Sequence, residues 1–225
     1  MIAHLTCKTV SDHPMITVPG SKSESNSDDT ISLQKGINQI NGTVDIHHAG
    51  TAMRFLTAYF ASKKGADIVI TGSKRMQERP IKILVDALND LGADIHYLKN
   101  EGFPPLKIIG KDLNVSSVTL NANISSQYIS ALMLIAPSLK NGLTINLEGE
   151  ITSVPYINMT LNLMQKAGVL GSFNANKIQI KPTNSIDSSV LNVESDWSSA
   201  SYYYSIIALS SKLEVTLNNY TKNSI

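Results

Sequence analysis

Apolar residues recur at helical spacing in two segments that share one layout, about 75 residues apart. The repeated positions pair as Ile81 with Ile157, Val85 with Leu161, Leu88 with Met164 and Gly92 with Gly168. This spacing predicts an amphipathic helix in each copy, ended by a glycine where a positive φ is needed. Alternating or β-branched residues predict a hairpin after each helix, through ADIHYL and PLKIIG, then through VLGSFN and KIQIKP.

A second kind of helix is predicted to open at Thr51, Ser126 and Ser199, again at intervals of about 75 residues. Each begins with hydroxyl or glycine residues and leads into an extended segment: ADIVITG, LTINLEG or LEVTLNN. The order is then strand, helix, strand, helix and two more strands. We therefore predict an α/β fold of repeated βαβαββ units around a pseudo-threefold axis, forming one domain plus a fragment of a second.

The first unit is shorter than the others. Between SKSESN and SDDTISLQKGINQI the sequence offers only a polar join where the other units have a strand and a helix, so a piece is expected to be missing after Asn26. Asp28 and Asp29 are interpreted as carboxylates at a helix start, favoured by the helix dipole, rather than as a catalytic pair. The chain stops one predicted strand after its third helix, which suggests truncation.

Composition narrows the function classes. With 225 residues, 42% of them hydrophobic, the chain can bury a core. Its 19 basic and 18 acidic residues give a net charge of +1 and are spread along the chain, which argues against a nucleic-acid partner. The single cysteine, Cys7, and the absence of a secretory leader favour a cytoplasmic protein. No apolar run approaches the roughly 20 residues that span a bilayer, so no membrane partner is expected.

Helix N-termini carry partial positive charge and unpaired N–H donors, so three repeated termini that reach one rim would form a site for a small anion. Ser125, Ser126 and Gln127 are candidate donors, while Arg54 and Arg79 can add charge-assisted hydrogen bonds. These hydroxyls could also be ordinary helix caps.

The loop VPGSKSESN can present the Lys22 ammonium to an anion, although it lacks the Walker pattern. A solvated surface turn is the alternative for this segment.

The paired His47 and His48 raise the question of a metal site. Neighbours on a strand point to opposite faces, and no third ligand stands at a suitable spacing, so no metal is predicted. No dinucleotide, hydrolase or zinc-protease pattern is present.

Six ordered blocks cover nearly the whole chain: PGSKSESN, AGTAMRFLTA, TGSKRMQERPIKILVDALNDLGA, SSQYISALM, SVPYINMTLNLMQKAGV and ESDWSSASYYY. In these blocks the chain resembles the 5-enolpyruvylshikimate-3-phosphate synthase family. The resemblance implies a fold of two domains, each of three βαβαββ units, at roughly twice this length. Residues 20–193 are then expected to form the ligand-binding domain, and residues 1–19 with 194–225 part of the second domain.

The resemblance also implies a transferase of the shikimate pathway, on the route to chorismate and the aromatic amino acids. The enolpyruvyl group would pass from phosphoenolpyruvate to the 5-hydroxyl of shikimate 3-phosphate through a tetrahedral adduct, with release of phosphate. No metal or organic cofactor is implied. The full-length protein is expected to be a monomer whose partners are these two small molecules.

The six matching blocks also imply which residues of this chain form the site. Phosphoenolpyruvate would be held by Lys22, Gly50, Arg79 and Gln127. Shikimate 3-phosphate would be held by Ser23, Ser125, Ser126, Ser153 and Tyr156. Lys22 would be catalytic, and with Arg79 would neutralise the phosphate and carboxylate of phosphoenolpyruvate. Thr51 and Arg54 would support the anion-facing helix terminus.

The chain departs from the family pattern in two places. Asn26 is followed by Ser27 where the family has an arginine that binds substrate, so affinity for shikimate 3-phosphate is expected to fall. His48 stands where the family often has asparagine, beside the Ala-Gly-Thr turn. Because the family's other half brings groups that move protons, the chain alone is expected to lack most of the activity.

Two alternatives stay open. A relative acting on UDP-N-acetylglucosamine would require a cysteine in a phosphoenolpyruvate loop, whereas Cys7 lies in the first predicted strand. A non-catalytic domain that binds a phosphorylated ligand is compatible with every block.

Overall fold

The computed structural model describes residues 28–152, 154–183, 195, 197–218 and 220 of the chain. The chain divides into two compact units, residues 1–189 and residues 190–225.

The described residues of the first unit form two four-stranded sheets and five α-helices. The helices α1 to α5 are Asp28–Ile37, Gly50–Ser62, Lys82–Asp90, Ser126–Ile135 and Val154–Lys166. The strands β1 to β4 are Asn41–Asp45, Asp67–Thr71, Asp94–Tyr97 and Leu106–Ile109, and β5 to β8 are Ser117–Asn121, Leu143–Glu148, Gly171–Asn174 and Lys177–Ile180. Short 3-10 helices cover Met76–Glu78 and Ala136–Ser138.

Both sheets have the same topology, with strand orders β1-β2-β4-β3 and β5-β6-β8-β7. The first two strands of each sheet run parallel, and the last two form the antiparallel hairpin that the sequence predicted. A parallel pair needs a crossover, which α2 and α4 supply. The predicted βαβαββ unit is thus confirmed twice, as β1-α2-β2-α3-β3-β4 and β5-α4-β6-α5-β7-β8.

The outer helices α3 and α5 are amphipathic, as their spacing predicts. Ile81 and Ile157 are fully buried at corresponding positions, whereas polar residues between the apolar positions, such as Asp86 and Asn158, are exposed. Gly92 and Gly168 end the two helices with φ of 99° and 86°, a region that side chains with a Cβ rarely adopt. The two copies of the repeat therefore agree both in the buried apolar face of the helix and in the backbone conformation of the glycine that ends it.

The inner helices α2 and α4 pack against each other and are apolar on nearly every side. Phe60 of α2 and Leu132 of α4 are completely buried. A helix that is apolar all round belongs in a core, and these two helices form the centre of the first unit. The predicted start at Ser126 is confirmed, and α2 starts one residue before the predicted Thr51.

Helix α1 starts at Asp28, with Asp28 and Asp29 in its first turn as predicted. It packs along α2 at close range, because Gly36 has no side chain and Leu56 fills the space where a Cβ would stand. The Tyr59 hydroxyl donates a hydrogen bond to the Ile37 carbonyl oxygen at 3.2 Å. This close packing fixes where the first turn of α1 lies relative to α2.

In the unit of residues 190–225, α6 covers Trp197–Ala208, starting two residues before the predicted Ser199. The rings of Trp197 and Tyr220 meet edge to face at 4.8 Å. The prediction that LEVTLNN is an extended strand is wrong for residues 213–218, which belong to no strand. A strand is stabilised by hydrogen bonds to a neighbouring strand, and the described residues of this unit include no strand with which the segment could pair.

Across the ranges that the structure describes, no helix is both long enough and apolar enough to cross a membrane.

The fold makes a prediction at Gly110, where the chain leaves β4 and passes under the end of α2. A Cβ there would overlap the Lys63 carbonyl oxygen and lie 2.5 Å from the Phe60 carbonyl oxygen. Because backbone cannot move aside as a flexible side chain can, Gly110→Ala should lower the free energy of unfolding by about 2 kcal/mol or more. Urea denaturation measures it. The exposed neighbour Lys111→Ala is the control and should change stability by less than about 0.5 kcal/mol; equal stability of the two variants would contradict the packing described.

Candidate functional site

The N-terminus of α2 follows the carboxyl end of β1 through a short turn. The Asp45 carboxylate accepts a hydrogen bond from the His47 backbone N–H at 2.8 Å, and His47 has a φ of 51°. Ala49 occupies the N-cap position and has no side chain able to cap the helix. The first backbone N–H groups of α2 therefore lack a capping hydroxyl, and the helix dipole gives this end partial positive charge.

Arg79 lies against this helix end. A Cβ on Gly50 would overlap the Arg79 Nη1 atom, so only glycine at the first position of α2 lets the guanidinium approach so closely. Arg79 follows the 3-10 helix Met76–Glu78, and its backbone N–H donates to the Met76 carbonyl oxygen at 3.1 Å.

Several bonds hold the segment that carries Arg79. The Tyr128 hydroxyl of α4 donates to the Pro80 carbonyl oxygen at 2.8 Å. The Ile81 N–H donates to the Gly102 carbonyl oxygen at 2.9 Å, in the loop between β3 and β4. Lys82 donates a hydrogen bond to Glu101 of the same loop at 2.8 Å, and this bond together with one to Asp86 raises the pKa of Lys82 to about 12. Arg79 is thus anchored to both repeats.

Arg54, one turn into α2, is a buried charge beneath the same surface. Its side chain is 6% exposed, and its Nη1 donates to the Gly50 carbonyl oxygen at 2.7 Å. Burial lowers the pKa of the Arg54 guanidinium and the charge of Arg79 lowers it further, whereas Tyr128 and Asp29 raise it. Its Nε atom is buried and finds no hydrogen-bond partner within the described part of the chain. Two guanidiniums and a helix N-terminus therefore concentrate positive charge around Gly50.

The N-terminus of α4 is joined to that of α2 by one side-chain bond. The Gln127 Nε2 donates to the Thr51 hydroxyl at 3.2 Å, although the two residues belong to different repeats. Ser125 is the N-cap of α4, and its hydroxyl accepts from the Gln127 N–H at 3.4 Å. The two inner helices thus start side by side, as the pseudo-symmetry argument expected.

Two carboxylates of α1 face the same region. An Asp29 oxygen accepts the Ala52 N–H of α2 at 3.4 Å, and an Asp28 oxygen lies 3.9 Å from the His48 Nε2. Sequence reasoning placed both carboxylates at a helix start and missed that they face the start of a second helix. That relation depends on how α1 packs on α2, which no local pattern encodes.

A cleft of about 470 Å³ opens beside Arg79 and is lined by His48, Ser73, Arg75, Met76 and Arg79. Sequence reasoning did not single out Ser73 or Arg75. A usable signal exists, because GSKR directly follows β2 and the carboxyl ends of the parallel strands β1 and β2 lie at the same edge of the sheet.

The predicted site residues divide into three groups. Gly50, Thr51, Arg79 and Gln127 are brought together, with Ser125 and Ser126 at the same helix start as Gln127. Tyr156 lies in the first turn of α5 and is 56% exposed. Lys22, Ser23 and Ser153 lie outside the described residues.

The interpretation of the two histidines needs a correction. His47 and His48 lie in the turn after β1 and not on a strand, and their ring centroids are 4.1 Å apart rather than on opposite faces. The chain turns because Asp45 holds the His47 N–H, which ends the strand. Within the described ranges, no three His, Cys, Asp or Glu side chains cluster as metal ligands would.

Comparison with known proteins gives a consistent result. A family model described as EPSP synthase (3-phosphoshikimate 1-carboxyvinyltransferase) matches residues 20–225. A 3-phosphoshikimate 1-carboxyvinyltransferase of Bacteroides fragilis (strain ATCC 25285) is 48% identical over 224 residues, covering 96% of this chain and 54% of the relative. The enzyme of the same name from Haemophilus influenzae (strain PittEE) is 44% identical over 191 residues, covering 83% of this chain and 44% of the relative.

Solved structures agree at the level of the fold. An EPSP synthase from Acinetobacter baumannii superposes with a TM-score of 0.67 at 17% identity, over 89% of this chain and 49% of that one. The chain spans about half the length of the curated relatives it matches. From the extent of the family match and the identity to these relatives, we conclude that this chain belongs to the EPSP synthase family.

Proposed function

We propose that the chain contributes one substrate-binding half of an enzyme that transfers the enolpyruvyl group of phosphoenolpyruvate to the 5-hydroxyl of shikimate 3-phosphate. The observation that carries the proposal is the close approach of Arg79 to Gly50 at the start of α2, above the buried Arg54. Such a concentration of donors and positive charge suits a ligand that bears both phosphate and carboxylate groups.

The proposed roles follow from the chemistry of each group. Arg79 and the first N–H groups of α2 bind the anionic groups of phosphoenolpyruvate, and the Gln127 amide orients it. Since phosphate leaves in this reaction, donors fixed before the reaction stabilise the growing negative charge without reorganising. Ser125 and Ser126 at the start of α4 bind shikimate 3-phosphate together with Tyr156.

Three proposed site residues lie outside the described ranges: Lys22, Ser23 and Ser153. In our proposal Lys22 is the catalytic residue of this half and adds a further positive charge, while the two serines bind shikimate 3-phosphate.

Turnover is proposed to need the other half of the fold. Enolpyruvyl transfer requires groups that give a proton to the methylene carbon of phosphoenolpyruvate and later remove one. The side chains that lie against Gly50 are those of Arg54 and Arg79, and guanidinium groups suit binding more than proton transfer. We therefore expect this chain to bind ligand and to release no phosphate when assayed alone.

A second candidate is a domain that binds phosphorylated ligands without catalysis. It shares the same anion site, so binding does not separate the two functions. Phosphate release after mixing the chain with the complementary half of a relative supports the enzyme; a stable complex without turnover supports the binding domain. The alternative kinship with a UDP-N-acetylglucosamine transferase loses support, because the matching family model is that of EPSP synthase.

Removal of the Arg79 side chain tests the proposed contact with phosphoenolpyruvate. Arg79→Ala should weaken phosphoenolpyruvate binding roughly 10- to 100-fold, because a charge-assisted hydrogen bond contributes about 1.5–3 kcal/mol. Isothermal titration calorimetry measures the change. Lys74→Ala is the matched control, since it removes the same charge from an exposed position nearby. If both variants weaken binding equally, Arg79 acts only through net charge and the proposed contact is wrong.

A methyl group at Gly50 tests whether the close approach of Arg79 matters for binding. Gly50→Ala places a methyl group against the Arg79 Nη1 atom and 2.9 Å from the Arg54 Nη1 atom. Because both are ends of flexible side chains, the fold should persist while the guanidiniums shift, and phosphoenolpyruvate affinity should fall about tenfold. Calorimetry gives the affinity and a thermal melt confirms folding. A folded variant with unchanged affinity would refute the role given to this glycine.

A further inference from the structure

The α2 N-terminus is already in contact with a negative charge from within the chain. The half-buried Asp29 carboxylate accepts the Ala52 N–H, the third N–H of α2, at 3.4 Å. That distance is long for a charge-assisted bond, so the carboxylate occupies the donor without binding it tightly.

Asp29 is also coupled to the buried arginine of the site. Its charge favours the protonated form of Arg54, whereas burial and Arg79 disfavour it. Arg54 is 6% exposed and keeps a buried Nε without a hydrogen-bond partner in the described part of the chain. Without a ligand, the Asp29 carboxylate is thus a nearby counter-charge for the positive groups around Gly50. These groups still have an unused hydrogen-bond donor, the Nε of Arg54.

The position of Asp29 is imposed by helix packing. Gly36 lets α1 lie directly against Leu56 of α2, and the Tyr59 hydroxyl bonds the end of α1. Asp29 stands about two turns before Gly36 on α1, so the packing brings its carboxylate to the first turn of α2. The contact spans 23 residues of sequence and is a tertiary feature, not a local cap.

From these contacts we infer that Asp29 is the counter-ion of the anion site in the unliganded chain and lowers the affinity of that site for anions. A phosphate-bearing ligand at the α2 N-terminus competes with the Asp29 carboxylate for the Ala52 N–H and for the positive charge around Gly50. The inference rests on the proposed function, because it concerns the same anion site. According to this inference, the Asp29 carboxylate weakens ligand binding and stabilises the unliganded chain.

The opposite signs of these two effects separate this role from a purely structural one. A carboxylate near a helix N-terminus stabilises the helix, so Asp29→Asn should lower the melting temperature slightly. The same change removes repulsion between the carboxylate and an incoming phosphate, so affinity should rise. If Asp29 only held the fold together, stability and affinity would fall together.

The test uses the whole chain with inorganic phosphate as the probe, titrated calorimetrically at low salt into wild type, Asp29→Asn and Asp28→Asn. Asp28 is the matched control, since it carries the same charge on the same helix turn but is 81% exposed and faces His48. We expect Asp29→Asn to bind phosphate about 3- to 10-fold more tightly, and Asp28→Asn to stay within about twofold of wild type. Asp29→Ser, which keeps a capping hydroxyl without the charge, gives the same readout if the asparagine variant folds poorly.

Each other outcome overturns the inference. Unchanged or weaker binding by Asp29→Asn shows that the carboxylate does not compete, and leaves the proposed function intact because wild type still binds. Equal tightening by Asp28→Asn shows that only net charge matters. An absence of phosphate binding in all three chains removes the anion site itself, and with it the proposed function.

Discussion

The site depends on the absence of a side chain at Gly50. Because no Cβ stands there, the Arg79 guanidinium reaches the first turn of α2, directly above the buried Arg54. The two guanidinium groups and the helix N-terminus repel one another at this short distance, so the arrangement needs nearby negative charge. The Asp29 carboxylate provides part of it, and a phosphorylated ligand would provide more.

The rest of the fold holds this point in place. The parallel pairing of β1 and β2 brings the start of α2 and the segment leading to Arg79 to the same edge of one sheet. The second repeat contributes from outside that sheet, because Gln127 bonds Thr51 and Tyr128 bonds the Pro80 carbonyl. A site assembled between two repeats is rigid because each of its groups is anchored in a different element.

Periodic features of the sequence predicted much of this architecture. The apolar stripes and the terminal glycines, such as Gly92 and Gly168, were readable because helix periodicity and positive φ are local properties. The strand expected over LEVTLNN failed because a strand needs a neighbour, which local propensity cannot guarantee. The orientation assumed for His47 and His48 failed because an aspartate side chain turns the backbone just before them.

The candidate site was predictable in part. The family resemblance singled out Gly50, Arg79 and Gln127, and the structure brings these three together. The contact of Asp29 with α2 was not predictable, since it follows from how closely α1 packs at Gly36, a tertiary property. Arg75 was missed although its segment directly follows β2, at the edge of the sheet where the cleft opens.

The central claim is that this charged helix start is where a phosphorylated ligand binds. A backbone amide NMR titration of the chain with phosphoenolpyruvate, then with shikimate 3-phosphate and with shikimate as the unphosphorylated control, tests it most directly. We expect phosphorylated ligands to shift the Gly50, Thr51 and Gln127 amides most, and shikimate to leave these amides unshifted. The largest shifts at amides remote from α2 and α4, or equal shifts with shikimate, would contradict it.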